Sequence, residues 1–317
     1  MSEIIKEIVH VAEAGNFLYA LVVQYEESDG GNGVGLLYRT NGLREGDTEH
    51  ILSTNDYLRY MWTSPSGSIW MSSEDGNVWT TAKVKWSKPK DAELAFNSYD
   101  SSLNWTVTTL PDQQGRNRPP LLGSIWGTDD SNVFVAAFDG PIYHWNGKEW
   151  RQVHTAPGTI RSFSGTSAND VFAVGEKGSL LRFDGSAWQT LRNPEGVRND
   201  ETFTGARHAP DGSVYICSQS GRLLHGSASG MSVIAQNDDI QLRGLAFLGD
   251  RLLFAAADQG VAELKKSTIV SIRDTFYPIF IAPGTNDRLF FLDASTETCY
   301  IEYDPSNEDK PWAFVDF

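Results

Sequence analysis

Positive charge is scarce in this 317-residue chain: 26 Lys and Arg stand against 41 Asp and Glu, a formal net charge of −15. A surface of that sign repels nucleic-acid phosphates and anionic lipid headgroups, so neither nucleic acid nor a membrane surface is expected as a partner. Long apolar runs are missing as well; no stretch approaches the roughly 20 residues of a bilayer-spanning helix. The opening residues, MSEIIKEIVHVAEAGN, carry no basic segment followed by a long apolar one, which reads as no secretory leader and a cytoplasmic location. Cysteine is nearly absent. Cys217 and Cys299, far apart, are expected as reduced, buried thiols.

Signatures of chemistry are equally thin. There is no His-Glu-x-x-His, no Gly-x-Ser-x-Gly, no Walker loop and no Cys-x-x-Cys. The nearest approach, Gly226-Ser227-Ala228-Ser229-Gly230, puts Ala where a nucleophile would stand and reads as a turn. The six histidines, His10, His50, His144, His154, His208 and His225, show no tight ligand spacing, so no metal and no other cofactor is expected. Cys217 sits beside Tyr215 and Ile216 without the cationic neighbour a reactive thiolate needs. These absences point to a protein that is not an enzyme.

What the chain does have is internal repetition. Residues 124–150, SIWGTDDSNVFVAAFDGPIYHWNGKEW, align without a gap on 162–188, SFSGTSANDVFAVGEKGSLLRFDGSAW, at a shift of 38. The alignment superposes Gly127 on Gly165, Thr128 on Thr166, Phe134 on Phe172, Gly140 on Gly178, Gly147 on Gly185 and Trp150 on Trp188. Each unit reads as strand, Asx-rich turn, strand, Gly turn, strand, Asn-Gly or Asp-Gly turn, then a strand opened by Trp. Weaker copies are marked by Trp70 with Gly76, Tyr215 with Gly221, Phe254 with Gly260, and Phe290, and a further copy occupies residues 14–40. Seven units in 317 residues is about 45 per unit, the size of a propeller blade. The expected fold is therefore all-β: one domain over 1–317, a single seven-bladed β-propeller of four-stranded antiparallel blades, with six blades plus a cap as the rival count. The expected blades are 7–54, 57–111, 120–155, 158–193, 200–236, 240–274 and 276–317, and blade two carries an insertion at 82–103.

The segment GTSANDVFAVGEKGSLLRFDGSAW resembles a bacterial β-propeller repeat of the pattern W-G-T-S-x-N-D-V-F-A-V-G followed by G and a D-G-x-x-W turn. The resemblance is close in blades three and four and skeletal elsewhere, and it implies architecture without implying an activity. Ser72-Ser73-Glu74-Asp75-Gly76-Asn77-Val78-Trp79 is similar to the Asp-box of sialidase-like propellers, with Glu74 at the Asp position. Asp-boxes brace turns, so this likeness implies no hydrolase. None of the ten Trp precedes an Asp, so the WD signature is absent.

In a meander propeller the turns between second and third strands share one face. Those turns carry Glu26, Glu27 and Asp29, then Glu74 and Asp75, Asp139, Glu176, Gln219, Asp258 and Glu297. The connections between blades add Glu195, Asp200, Glu201, Asp238 and Asp239 to that face. A face of this kind steers a basic partner. The insertion contrasts with it: Lys83, Lys85, Lys88 and Lys90 surround Trp86, and Pro89–Phe96 reads as a short helix. Trp86, Phe96 and Tyr99 need something to cover, either the propeller's own edge or a partner.

The expected function is thus a non-catalytic protein-binding propeller, a monomer on its own, that takes a basic protein partner. The sharpest form of that reading is an immunity or inhibitor protein against a basic toxin or effector. The alternatives are a general interaction scaffold and a carbohydrate-active hydrolase or lyase working with carboxylates at the channel mouth.

Overall fold

Gly turns and alternating apolar residues produce short strands and almost nothing else. The computed structural model describes residues 4–26, 33–41, 47–86, 95–111, 118–294 and 299–316. Its described residues form seven antiparallel sheets, five of them built from four consecutive strands and two interrupted where a strand of blade two's insertion joins blade one. The fold is all-β, a seven-bladed β-propeller, and among the described residues no sheet is left over to act as a cap. One 3-10 turn, Ala257–Gln259, is the helical element among the described residues.

The sheets span 4–54, 58–109, 122–155, 160–190, 203–236, 244–273 and 278–316. Trp312–Asp316, from the segment WAFVDF, is the fourth strand of the last sheet, and Ile4–Ala14 is the first strand of the first sheet. The first sheet holds a fifth strand, Phe96–Ser98, contributed by the insertion of blade two.

By proximity the chain divides into two compact units. One comprises Met1–Gln152, Glu297–Tyr300 and Val315–Phe317; the other comprises Val153–Thr296 and Ile301–Phe314. In the first unit, blades one and two pack through Leu21, Leu37, Leu52, Met61, Met71 and Trp79. Blades two and three pack through Trp70, Val78, Val133, Val135, Tyr143 and Trp145. In the second unit, blade four meets five through Phe172, Val174, Phe203, Ile216 and Leu224, and blade five meets six through Cys217, Leu223, Leu245 and Phe254.

Burial follows position within the blade. The second strand of blade three, Asn132–Ala137, is buried at every residue, as an inner strand packed against blade two should be. The fourth strand, Trp150–Thr155, alternates half-buried and exposed, as an outer strand with one wet face should.

The turn chemistry read from the repeat is present at atomic detail. Asn146 Oδ1 accepts the amides of Lys148 and Glu149, both at 3.0 Å; Asp184 Oδ1 accepts those of Ser186 and Ala187, both at 2.9 Å. These bonds hold the Asp184 carboxyl down at about 2. Gly178 has φ 62°, and an added Cβ would stand 2.6 Å from the Asn199 carbonyl, so only glycine fits.

Candidate functional site

A repeated backbone bond fixes the equivalence of the acidic turns. The residue that follows the second strand donates its amide to the carbonyl just before the first strand: Glu74 to Tyr57 at 3.0 Å, Glu176 to Thr159 at 2.9 Å, Gln219 to Thr202 at 2.9 Å and Ala294 to Tyr277 at 2.9 Å. Glu74 and Glu176 thus occupy one structural place. Each then ion-pairs with the arginine two residues past the accepting carbonyl, Arg59 with Glu74 at 2.9 Å and Arg161 with Glu176. Both pairs span 15 residues in the chain. Their shared role is a latch that ties the turn to the first strand. Spacing across the repeats was the signal that could have revealed it. In blade seven that place is held by Ala294 and not by Glu297, which lies outside the described residues, as do Glu27 and Asp29.

The remaining carboxylates fall into two groups. Asp75 Oδ2 accepts the Tyr57 amide at 2.7 Å, Glu201 is buried with Arg222 Nη1 at 2.8 Å and the Ser220 hydroxyl at 2.8 Å, and Asp200 pairs with Arg198 at 2.5 Å. The first two are internal braces and the last is a surface ion pair. Asp258, in the turn after the second strand of blade six, is exposed and has no ion pair among the described residues, and Glu195 and Asp239 are exposed in the connections following blades four and five. Glu26 and Asp139 are also exposed. Turns and connections do share one end of the sheets: Leu110 donates to the Gly76 carbonyl at 2.8 Å, Gly178 to Glu201 at 2.7 Å and Asn237 to Gly221 at 3.0 Å.

The insertion covers the protein's own blades at both of its described ends. Lys83 and Lys85 point to solvent while Trp86, half-buried, packs at 4.9 Å from Trp145 and 6.3 Å from Trp150 of blade three, and 6.1 Å from Trp70. At the other end, Phe96–Ser98 pairs with the outer strand of blade one, Thr54 opposite Phe96 and Leu52 opposite Ser98. Asp100 receives Arg39 at 2.7 Å, and Tyr99 lies 4.5 Å from the His50 ring. Phe96 is therefore strand where a helix end was expected, because the free edge of blade one offers ladder hydrogen bonds, including the Tyr99 amide to Ile51 at 2.9 Å. Residues 87–94, with Lys88 and Lys90, lie outside the described residues.

Histidines are engaged individually. His208 Nδ1 stands 2.9 Å from Ser164 Oγ, and its Nε2 is 3.7 Å from Asp170 Oδ2. This Ser–His–Asp set is not arranged for nucleophilic attack. Ser164 is buried and already accepts the His208 amide at 3.0 Å, while Asp170 is held by Arg182 at 2.8 Å and is too far from the imidazole to orient it. Burial pushes the Cys217 thiol up to about 12, which keeps it protonated. Among the described residues no three His, Cys, Asp or Glu converge as metal ligands.

No family model matches the chain, and no curated protein matches it. Solved structures do. Virginiamycin B lyase from Staphylococcus aureus is 10% identical with a TM-score of 0.62, over 92% of this chain and 96% of that one. A structure of YCF48 bound to D1 peptide is 14% identical with a TM-score of 0.60, over 92% of both chains. The C-terminal WD40 domain of Sif2 is 13% identical with a TM-score of 0.60, over 99% of this chain and 86% of that one. What the chain has in common with all three is the β-propeller fold, here with seven blades.

Proposed function

We propose that this protein is a non-catalytic, protein-binding propeller that takes a basic partner on the face formed by the second-to-third-strand turns and the blade connections. The observation that carries this reading is the set of exposed carboxylates there, Asp258, Glu195 and Asp239, which have no ion pair, on a chain of net charge −15. Latched carboxylates such as Glu74 and Glu176 shape that face; the unpaired ones supply its field. That YCF48 has been solved with a peptide adds support, since the same fold can present a peptide-binding face. The sharper form of the proposal is an immunity or inhibitor protein, because a toxin that handles phosphates must itself be basic.

The test is a pull-down at low salt with wild type beside a variant carrying Glu195→Lys, Asp239→Lys and Asp258→Lys, captured proteins being identified by mass spectrometry. A basic protein held by wild type, lost from the variant and released near 0.5 M salt is the expected result. Equal capture by both proteins would remove the acidic face from the account. Co-expression with the captured partner then tests the sharper form: protection from its toxicity is expected, and continued killing would sink the immunity role.

A further inference from the structure

Blade five carries a cation, Arg207, that has no carboxylate partner among the described residues. Arg207 is opposite Tyr215 across the first two strands, and Tyr215 is opposite His225 across the next two, so the three side chains stand in one row on one face of the sheet. The Tyr215 and His225 rings are 4.3 Å apart, and Phe247, from the first strand of blade six, meets Tyr215 edge-on at 5.5 Å. The corresponding row of blade four is Ser164, Phe172 and Arg182. There the guanidinium is neutralised by Asp170, 12 residues earlier, at 2.8 Å.

In blade five the residue 12 before His225 is Ser213, which brings no charge. Its hydroxyl and amide hold Asp211 on its own turn, at 2.6 and 2.9 Å. Three other arginines meet carboxylates, Arg39 with Asp100, Arg222 with Glu201 and Arg251 with Glu263, whereas Arg243 and Arg273 share with Arg207 a buried, unpaired Nε. Arg207 meets none. Its single hydrogen bond is a long one, 3.4 Å, to the Ala206 carbonyl, and its Nε is shut off from solvent without an acceptor. His225 Nε2 is likewise enclosed and unpaired. Cys217, the next residue along the same face, stays a neutral thiol and supplies no negative charge. Burial lowers the Arg207 guanidinium from its ordinary value, the direction an uncompensated cation must take. A half-buried guanidinium whose Nε is shut off without a counter-ion is costly, and the neighbouring donors and aromatic ring are of the kind that binds an anion.

We propose that Arg207, Tyr215 and His225 form a binding site for an oxyanion, a carboxylate or phosphate carried by a small organic molecule whose apolar part rests on Phe247. The site lies beside the hairpin at 208–214, the end of blade five away from the acidic turns, and is independent of the protein-binding face.

Calorimetric titration of the full chain with inorganic phosphate and, separately, with benzoate tests it at low ionic strength. Wild type is expected to bind at least one of them saturably, phosphate preference marking a phosphate ligand and benzoate preference an aromatic carboxylate. Arg207→Gln should weaken binding at least about tenfold, and Tyr215→Phe and His225→Gln about two- to fivefold. Arg198→Gln, at a surface ion pair, should change nothing. Thermal unfolding without ligand adds a second readout: Arg207→Gln should melt no lower than wild type, since it removes an unpaired charge. Absence of saturable binding in wild type, unchanged binding in Arg207→Gln, or a marked fall in its melting temperature would each overturn the proposal.

Discussion

Blades three and four are built on one frame and differ in how they fill one pair of positions. The shift of 38 that aligns them carries Asn132 and His144 onto Asp170 and Arg182. In blade three the pair is neutral. His144 Nε2 lies 2.5 Å from Asn132 Oδ1, Asn132 donates to Thr128 at 2.7 Å, and the imidazole lies flat on Phe134 at 4.2 Å. In blade four the pair is charged, Arg182 donating to Asp170 at 2.8 Å. Both solutions satisfy a part-buried polar site beside a fully buried phenylalanine. They differ in what pH can do to them: burial pulls His144 down to about 4, whereas a guanidinium does not titrate in any accessible range.

The largest effect should come from what the two blades share. Phe134 and Phe172 are buried to 0% and 1% exposure, and Phe134→Ala and Phe172→Ala should each cost about 3–5 kcal/mol in denaturant unfolding. A difference of more than about 1 kcal/mol between them would show that the adjoining polar pair changes the packing of the ring.

An intermediate effect should separate the blades. The folded-state pKa of His144 lies below its unfolded value, so the unfolded chain binds more protons as pH falls from 6.5 towards 4. Stability contributed by neutral His144 is complete above about pH 6.5 and is lost across that window, on the order of 2 kcal/mol after allowing for partial exposure. His208, also lowered by burial, adds a loss of the same sign. The double variant Asn132→Asp with His144→Arg transplants the blade-four pair. Melting temperatures at pH 7.5 and 5 should lie closer together in that variant than in wild type; an unchanged gap would mean His144 does not set the slope.

The smallest effect belongs to the turn latches. Arg161 and Glu176 are 44% and 32% exposed, so Glu176→Gln should cost no more than about 1 kcal/mol and should matter less at high salt. Glu74→Gln in blade two should behave alike, and a much larger loss at either site would make that turn more than a brace.

The blade pattern was legible because its causes are local. Period-two alternation, Asn-Gly and Asp-Gly turns and a recurring strand-two aromatic act within a few residues, and they placed Gly178, Asp184 and Trp188 where the structure has them. The latches were present in the text as a repeated 15-residue spacing but carried no meaning until the hairpin register brought Arg59 to Glu74. The insertion is the opposite case. Nothing near Phe96 in the chain says that it will pair with Thr54, because that pairing depends on an unfilled strand edge supplied by another blade. Trp86 is similar: its aromatic character called for cover, and only the placement of Trp145 and Trp150 said which surface provides it.

Composition and repetition alone determined that the chain is all-β, that it is built of propeller blades and that its surface is acidic, since short-range propensity and net charge survive any arrangement of neighbours; the count of seven over six and a cap came from the sheets themselves. Which charges remain available was decided by tertiary structure. Glu176 and Asp258 look equivalent as turn residues, yet Arg161 claims one and the other stays free in solvent. Arg182 and Arg207 read alike as strand residues, yet one meets Asp170 and the other meets no carboxylate. Electrostatic partnership depends on distances of a few ångströms between residues far apart in the chain, and only the packed blades set those distances.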